Sequence, residues 1–173
     1  MPSFSRCVVV EQPIAEVWDV WTDVRLLPRL SKSTVDVRDA PERLRAVGDS
    51  FCQVVRAVGR CFESTWTVTS IQDRDHLTIE GSVGFGVRYA LTERVREVSP
   101  TTTELTIAVD YRLPFGPLGR VASKLGVEQL ARRESVEVLD QLKVLLEAMP
   151  APAAPAGGRG GAATGRSAPP APA

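Results

Sequence analysis

Between residues 87 and 113 the chain alternates apolar and polar side chains almost without a break. Val87, Tyr89, Leu91, Val95, Leu105, Ile107, Val109, Tyr111 and Leu113 hold odd positions, whereas Arg88, Arg94, Thr106 and Asp110 hold even ones. Successive side chains of a strand point to opposite faces, so a period of two predicts strands over 87–98 and 103–113, joined by a turn at 99–102. One face must be buried and the other wetted, as in an antiparallel sheet covered on one side. Glu93 is an exception in mid-segment, a carboxylate between Leu91 and Val95 on the apolar parity.

The same alternation runs upstream. Segments 50–57 and 61–71 flank Val58, Gly59 and Arg60, which read as a tight hairpin turn. With Arg56 opposite Cys61, the residues Phe51, Gln53 and Val55 share a face with Phe62, Ser64 and Trp66. Arg56, Glu63, Thr65, Thr67 and Thr69 take the other face. This register sets Cys52 opposite Thr65, several rungs from Cys61 and out of reach of a disulfide. Cys7, Cys52 and Cys61 form an odd set without CxxC spacing, so they are expected to be buried free thiols, and no metal site is predicted. Further strands are expected at 4–10 and 76–83, and a period-two segment opens with Val35 and Val37.

Helical spacing governs the remainder. After Gln12 and Pro13, the residues Ile14, Val17, Trp18 and Trp21 recur on one helix face, with Glu16, Asp19 and Thr22 on the other. Pro28 interrupts the pattern, and Leu26, Leu27 and Leu30 predict a second short helix. From 118 to 149 a long helix carries a stripe of Val121, Leu125, Val138, Leu142, Leu145 and Met149, widened by Leu130, Leu139 and Leu146; Gly126 is expected to kink or loosen it.

Beyond Pro150 the chain turns to Ala, Pro and Gly with no carboxylate and no large apolar residue. Residues 150–173 are therefore expected to be a disordered tail behind a folded domain at 3–149. With 43% hydrophobic and 24% charged residues and a formal charge of zero, the composition fits a soluble globular protein and offers no electrostatic footprint for nucleic acid. No stretch approaches the roughly 20 apolar residues of a membrane span, and the N-terminus is short for a secretory signal, so stable membrane insertion is not expected and the expected location is the cytoplasm. The surface pattern fits a monomer or a dimer equally.

The predicted order is a strand, two short helices, a strongly curved antiparallel sheet of about six or seven strands in all, and a long C-terminal helix. This α+β arrangement resembles the START-related helix-grip superfamily, SRPBCC, and within it the polyketide cyclase/dehydrase-like and lipid-transport group. Local wording carries the likeness. Gln12-Pro13-Ile14-Ala15-Glu16-Val17-Trp18 resembles the family's proline-started first helix, and Leu27-Pro28-Arg29-Leu30 its second, with Leu30 where a tryptophan often stands. Val47-Gly48-Asp49-Ser50-Phe51 is similar to the entry of the long hairpin, and residues 114–120 to the link into the last helix. The resemblance implies a cavity between sheet and C-terminal helix, used to bind or carry lipids, isoprenoids, polyketides or other apolar molecules, and in some members to catalyse cyclisation or dehydration.

The residues expected to line that cavity are Phe51, Gln53, Val55, Phe62, Ser64, Trp66, Tyr89, Leu91, Ile107, Val109, Tyr111 and Leu125. Gln53, Ser64 and Ser70 would add neutral hydrogen-bonding groups to an apolar lining, and no cofactor is implied. The one histidine, His76, follows Asp73, Arg74 and Asp75 in a predicted solvent-exposed turn, and no GxSxG pattern accompanies it, so neither metal nor nucleophilic catalysis is predicted. Gly81, Gly84 and Gly86 lack the spacing and following helix of a dinucleotide loop and read as a bend with Phe85 at its tip. Glu93 has two readings: a buried general acid or base assisted by Tyr89 and Tyr111, or a strand-end carboxylate that pairs with an arginine or reaches water. The leading function is hydrophobic small-molecule binding. The alternatives are a cyclase/dehydratase using Glu93 and the tyrosines, and a protein-binding adaptor with a filled cavity.

Overall fold

A computed structural model of the chain describes residues 4–57, 59–83, 87–112 and 117–150. The elements run β1 (Phe4–Val10), α1 (Ile14–Trp21), a 3-10 turn (Val24–Leu26), α2 (Leu27–Leu30), β2 (Thr34–Arg38), β3 (Ser50–Ala57), β4 (Arg60–Gln72), β5 (His76–Val83), β6 (Val87–Ser99), β7 (Thr102–Arg112) and α3 (Pro117–Glu147). The expected turn residue Val58, the tip at Gly84, Phe85 and Gly86, the link at 114–116, the side chain of Leu125 and the tail at 151–173 lie outside what is described.

All seven strands form one antiparallel sheet in the order β1-β7-β6-β5-β4-β3-β2. From β2 to β7 the chain meanders, each strand beside its predecessor, and β1 closes onto β7. The helical segment between β1 and β2 therefore spans from one sheet edge to the other. Gly59 adopts φ +73 at the β3–β4 turn, a conformation that favours glycine, and the pairing of Arg56 with Cys61 follows from it. The register expected for β3–β4 is present, including Cys52 opposite Thr65, and in β6–β7 the odd positions share one face as expected, with Tyr89 opposite Tyr111.

Parity decides which face is dry. Val68, Leu77, Ile79, Val95, Leu105, Ile107 and Val109 are buried on the concave face, in one cluster with Val17, Trp18 and Trp21 of α1 and Leu139, Leu142 and Leu146 of α3. Helix α1 packs on β6 and β7, whereas α3 packs on β1 and α2. Gln12 ties the two ends of the chain together. Its Nε2 donates to the carbonyls of Leu146 at 2.9 Å and Met149 at 3.4 Å, satisfying the open end of α3, and its own carbonyl accepts from Thr103 Oγ1 at 2.8 Å.

Three expectations are corrected here. The centre of the α3 stripe is Leu139, Leu142 and Leu146, with Ser135 also buried, while Val138, Leu145 and Met149 flank it. The stripe turns because the last turns of α3 lean on β1 and Gln12. Helix α3 runs without interruption from Pro117 to Glu147. Thr22 is buried, because its hydroxyl folds back onto the Trp18 carbonyl at 2.9 Å and its own carbonyl accepts from Leu44 N. The cysteines are free, but Cys7 and Cys61 are exposed and Cys52 is half-buried, since all three fall on the outer parity.

Candidate functional site

An aromatic row crosses the concave face. Phe51, Trp66, Gly81, Tyr89 and Tyr111 pair in succession from β3 to β7. Trp66 and Tyr89 stand 6.3 Å apart between ring centroids at 43°, and Tyr89 and Tyr111 6.3 Å apart at 46°. Gly81 makes room for this row. A Cβ there would lie 2.7 Å from both Trp66 Cε3 and the Thr65 carbonyl oxygen, because the indole lies across the strand. Gly81→Ala is therefore expected to cost about 1–3 kcal/mol, although alanine in a strand interior is ordinarily the better residue. Urea unfolding checks this, and a variant as stable as wild type would show that the indole has room to move.

The polar groups on this face are largely spent on one another. Trp66 Nε1 donates to Ser64 Oγ at 3.1 Å, Ser64 Oγ donates to the Gln53 carbonyl at 3.3 Å, and Gln53 Nε2 donates to Thr34 Oγ1 at 2.7 Å. Ser64 is buried by this chain of bonds. It holds the Trp66 ring in place, a role that strand alternation does not reveal.

Burial falls off along the strands. Toward the β4–β5 and β6–β7 turns the concave face is sealed at Val68, Leu77, Val95 and Leu105. Toward the other end Gln53, Val55, Phe62, Tyr89, Leu91 and Tyr111 are only half-buried, whereas Phe51, Trp66, Ile107 and Val109 form a dry floor. Of the residues expected to line the cavity, the structure thus brings all but Leu125, whose side chain is not described, onto one concave face.

Glu93 stands where the sealed part gives way to the half-open part. It is mid-strand in β6, with Leu77 and Ile107 across from it, Val95 on one side and Leu91 on the other. The expected strand-end position and arginine partner are corrected, since Glu93 is mid-strand and has no ion pair among the described residues, but the residue is half-buried and so keeps some access to water. Removal from water pushes its pKa up to about 8, against a weaker opposing pull from the Trp21 indole N–H. At neutral pH the carboxyl is therefore protonated and uncharged. The indole Nε1 nonetheless reaches no acceptor at hydrogen-bond geometry. Burial, and then the neighbouring Tyr111 and Glu134, raises the pKa of Tyr89.

Ser70, expected on the inner face, is outside. The register between β4 and β5 shifts between Val68 and Ser70, and this bulge flips the parity so that Ser70 opposes Thr78 on the convex face. His76 opens β5 instead of lying free in a turn. Its Nε2 is 2.9 Å from Ser70 Oγ and its Nδ1 is 2.9 Å from Asp75 Oδ2, which pins the turn between the strands. A charged groove lined by Lys32, Arg132, Glu137 and Asp140 lies where α3 passes the exit of α2, away from the aromatic row. Among the described residues no group of side chains is arranged to hold a metal, and no helix is long and apolar enough to cross a membrane.

A family model described as polyketide cyclase / dehydrase and lipid transport matches residues 1–147. The chain belongs to this family. Solved structures place this polyketide cyclase/dehydrase family member among helix-grip proteins. The Zhui aromatase/cyclase from Streptomyces sp. R1128 is 16% identical with a TM-score of 0.70, over 83% of this chain and 92% of that one. A START superfamily protein from Mycobacterium smegmatis is 14% identical with a TM-score of 0.63, over 83% and 96%. TTHA0849 from Thermus thermophilus is 16% identical with a TM-score of 0.67, over 82% and 94%. Identities this low speak for the fold alone. Among curated proteins no sequence match is found. The helix-grip architecture expected of the polyketide cyclase/dehydrase family is the one observed, with a seven-stranded curved sheet and a C-terminal helix.

Proposed function

We propose that the chain binds a lipid, isoprenoid or polyketide-like molecule on the half-open part of its concave face, between the sheet and α3, as a carrier or receptor of the apolar molecule. The observation that supports this most directly is the change in burial along one sheet face: a sealed end, then a row of aromatic and aliphatic side chains left partly uncovered inside the grip of the helix. Apolar burial would drive association at roughly 25 cal/mol per Å² before ordering costs. In this reading residues 3–149 are the binding unit, 150–173 a tail outside it, and the protein works in the cytoplasm.

Native mass spectrometry of the full chain, followed by solvent extraction, tests the proposal. The expected result is an apolar molecule retained by the folded protein, or micromolar affinity for an apolar fluorescent probe. An empty chain indifferent to every such probe would favour the adaptor with a filled cavity.

The uncharged carboxyl of Glu93, on the same face as Tyr89 and Tyr111 but beyond the Leu91–Val109 rung, supports a second reading as a cyclase or dehydratase, in which these groups move protons on an enolisable ligand. Incubation of candidate polyketides with wild type and Glu93→Gln tests it. Product distributions identical to a control without protein would remove the motive for this reading.

A further inference from the structure

We infer that Trp21 and Glu93 form a two-donor anchor for an uncharged oxygen acceptor of the ligand, such as a ketone, quinone or lactone carbonyl, and that this anchor disfavours carboxylate-headed molecules. The inference rests on the ligand-binding reading of the concave face and names the chemistry that face would select.

The geometry supplies three observations. The Trp21 side chain is only 8% exposed, and its Nε1–H, near enough to Glu93 to oppose the rise in its pKa, completes no hydrogen bond of good geometry. Buried donors are almost always satisfied in folded proteins, so a donor left open beside a half-open apolar face marks the place of an acceptor from outside the chain. Glu93 is the second polar group at this spot, and in its protonated form its O–H is also a donor. The two groups come from different elements, α1 and β6, which pack on each other at the boundary between the sealed and half-open parts. A carbonyl oxygen, with two lone pairs, is the natural complement of two neighbouring donors.

Charge argues against an anion. The residues facing Glu93 from β5 and β7 are Leu77 and Ile107. On α1, Glu16 and Asp19 are exposed, and Arg94 of β6 projects to the convex face beside His76 and Thr106. Tyr89 of β6, Tyr111 of β7 and Glu134 of α3 lie toward the half-open end and bring no positive charge. A carboxylate placed against Glu93 would thus be desolvated, and among the described residues facing it there is no cation to offset that cost.

The test uses the full chain and three naphthalene probes: 6-propionyl-2-(dimethylamino)naphthalene, its analogue without the carbonyl group, and 6-(dimethylamino)-2-naphthoate. At pH 6.5 wild type is expected to bind the ketone more tightly than the naphthoate. The preference for the ketone over the carbonyl-free probe is expected to fall about tenfold in Trp21→Phe and in Glu93→Leu, with a blue shift of the bound ketone's emission as its hydrogen bonds are lost. Binding of the carbonyl-free probe reports whether each variant keeps its fold. Glu93→Gln retains a donor, so it is expected to keep the ketone preference up to pH 9, where wild type loses it. A preference unchanged in both Trp21→Phe and Glu93→Leu overturns the anchor and leaves the binding face standing, as does tighter binding of the naphthoate. Failure of wild type to bind any of the three overturns the binding face and the anchor with it.

Discussion

Glu93→Gln is expected to stabilise the folded chain by several kcal/mol at pH 8 and to remove much of the fall in stability between about pH 4.5 and 8. The folded-state pKa of Glu93 is raised from 4.5 to about 8, chiefly by burial. In that interval the unfolded chain releases the proton while the folded chain retains it. The folded state then binds more protons, and stability declines as pH rises. Below 4.5 both states are protonated and the group costs nothing; above 8 both are ionised and the full cost is constant. At about 1.4 kcal/mol per pKa unit the whole interval amounts to about 5 kcal/mol, and water reaching the half-open face reduces it toward roughly 3. Guanidinium unfolding of both proteins at pH 5, 6.5 and 8 measures the difference. A gap between the two curves that stays constant with pH would show that Glu93 is ionised and hydrated in the folded chain.

Leu142→Ala is expected to cost about 2–5 kcal/mol, the range for emptying a filled core position. Leu142 is 0% exposed and lies between Leu139 and Leu146 on the stripe with which α3 enters the core. Alanine is at least as good a helix former as leucine, so the loss reports the cavity and not the helix. Val144, two residues away and 62% exposed, is the control: Val144→Ala should remain within about half a kcal/mol of wild type. A loss below about 1 kcal/mol for Leu142→Ala would mean that the C-terminal turns of α3 are not what grips the sheet.

The sheet was legible in the sequence because two faces with different surroundings force a period of two, and a hairpin with glycine at its turn fixes the register. The odd positions of β6 and β7 therefore located Glu93 correctly on the inner face. Ser70 was misplaced because a bulge adds a single residue to the count and leaves no mark in composition. Thr22 was misplaced, and Ser64, correctly set on the inner face, had an unreadable role, because a hydroxyl's bonds depend on backbone geometry: the Trp18 carbonyl for Thr22, the Trp66 indole and the Gln53 carbonyl for Ser64. Gln12 carried no sign of its tie to the last helix, since its partners at Leu146 and Met149 lie at the far end of the chain. Trp21 was recognisable as an apolar residue of α1, but its unpartnered N–H is a property of the assembled interior. The centre of the α3 stripe shifted for a similar reason: several apolar faces were available on that helix, and β1 selected one.

The pairing of β1 with β7 also sets a schedule. Phe4 lies beside Val109, so during synthesis the first strand emerges about a hundred residues before its partner exists. At translation rates of about 5–20 residues per second, β1 waits roughly 5–20 s with its backbone groups unpaired. The meander from β2 to β6 can assemble in that time from neighbours alone, whereas the last two contacts, β1 on β7 and α3 on β1, both need the far end of the chain. The nascent protein therefore spends that interval as an open sheet with a loose first strand, which is when it is most exposed to pairing with another chain.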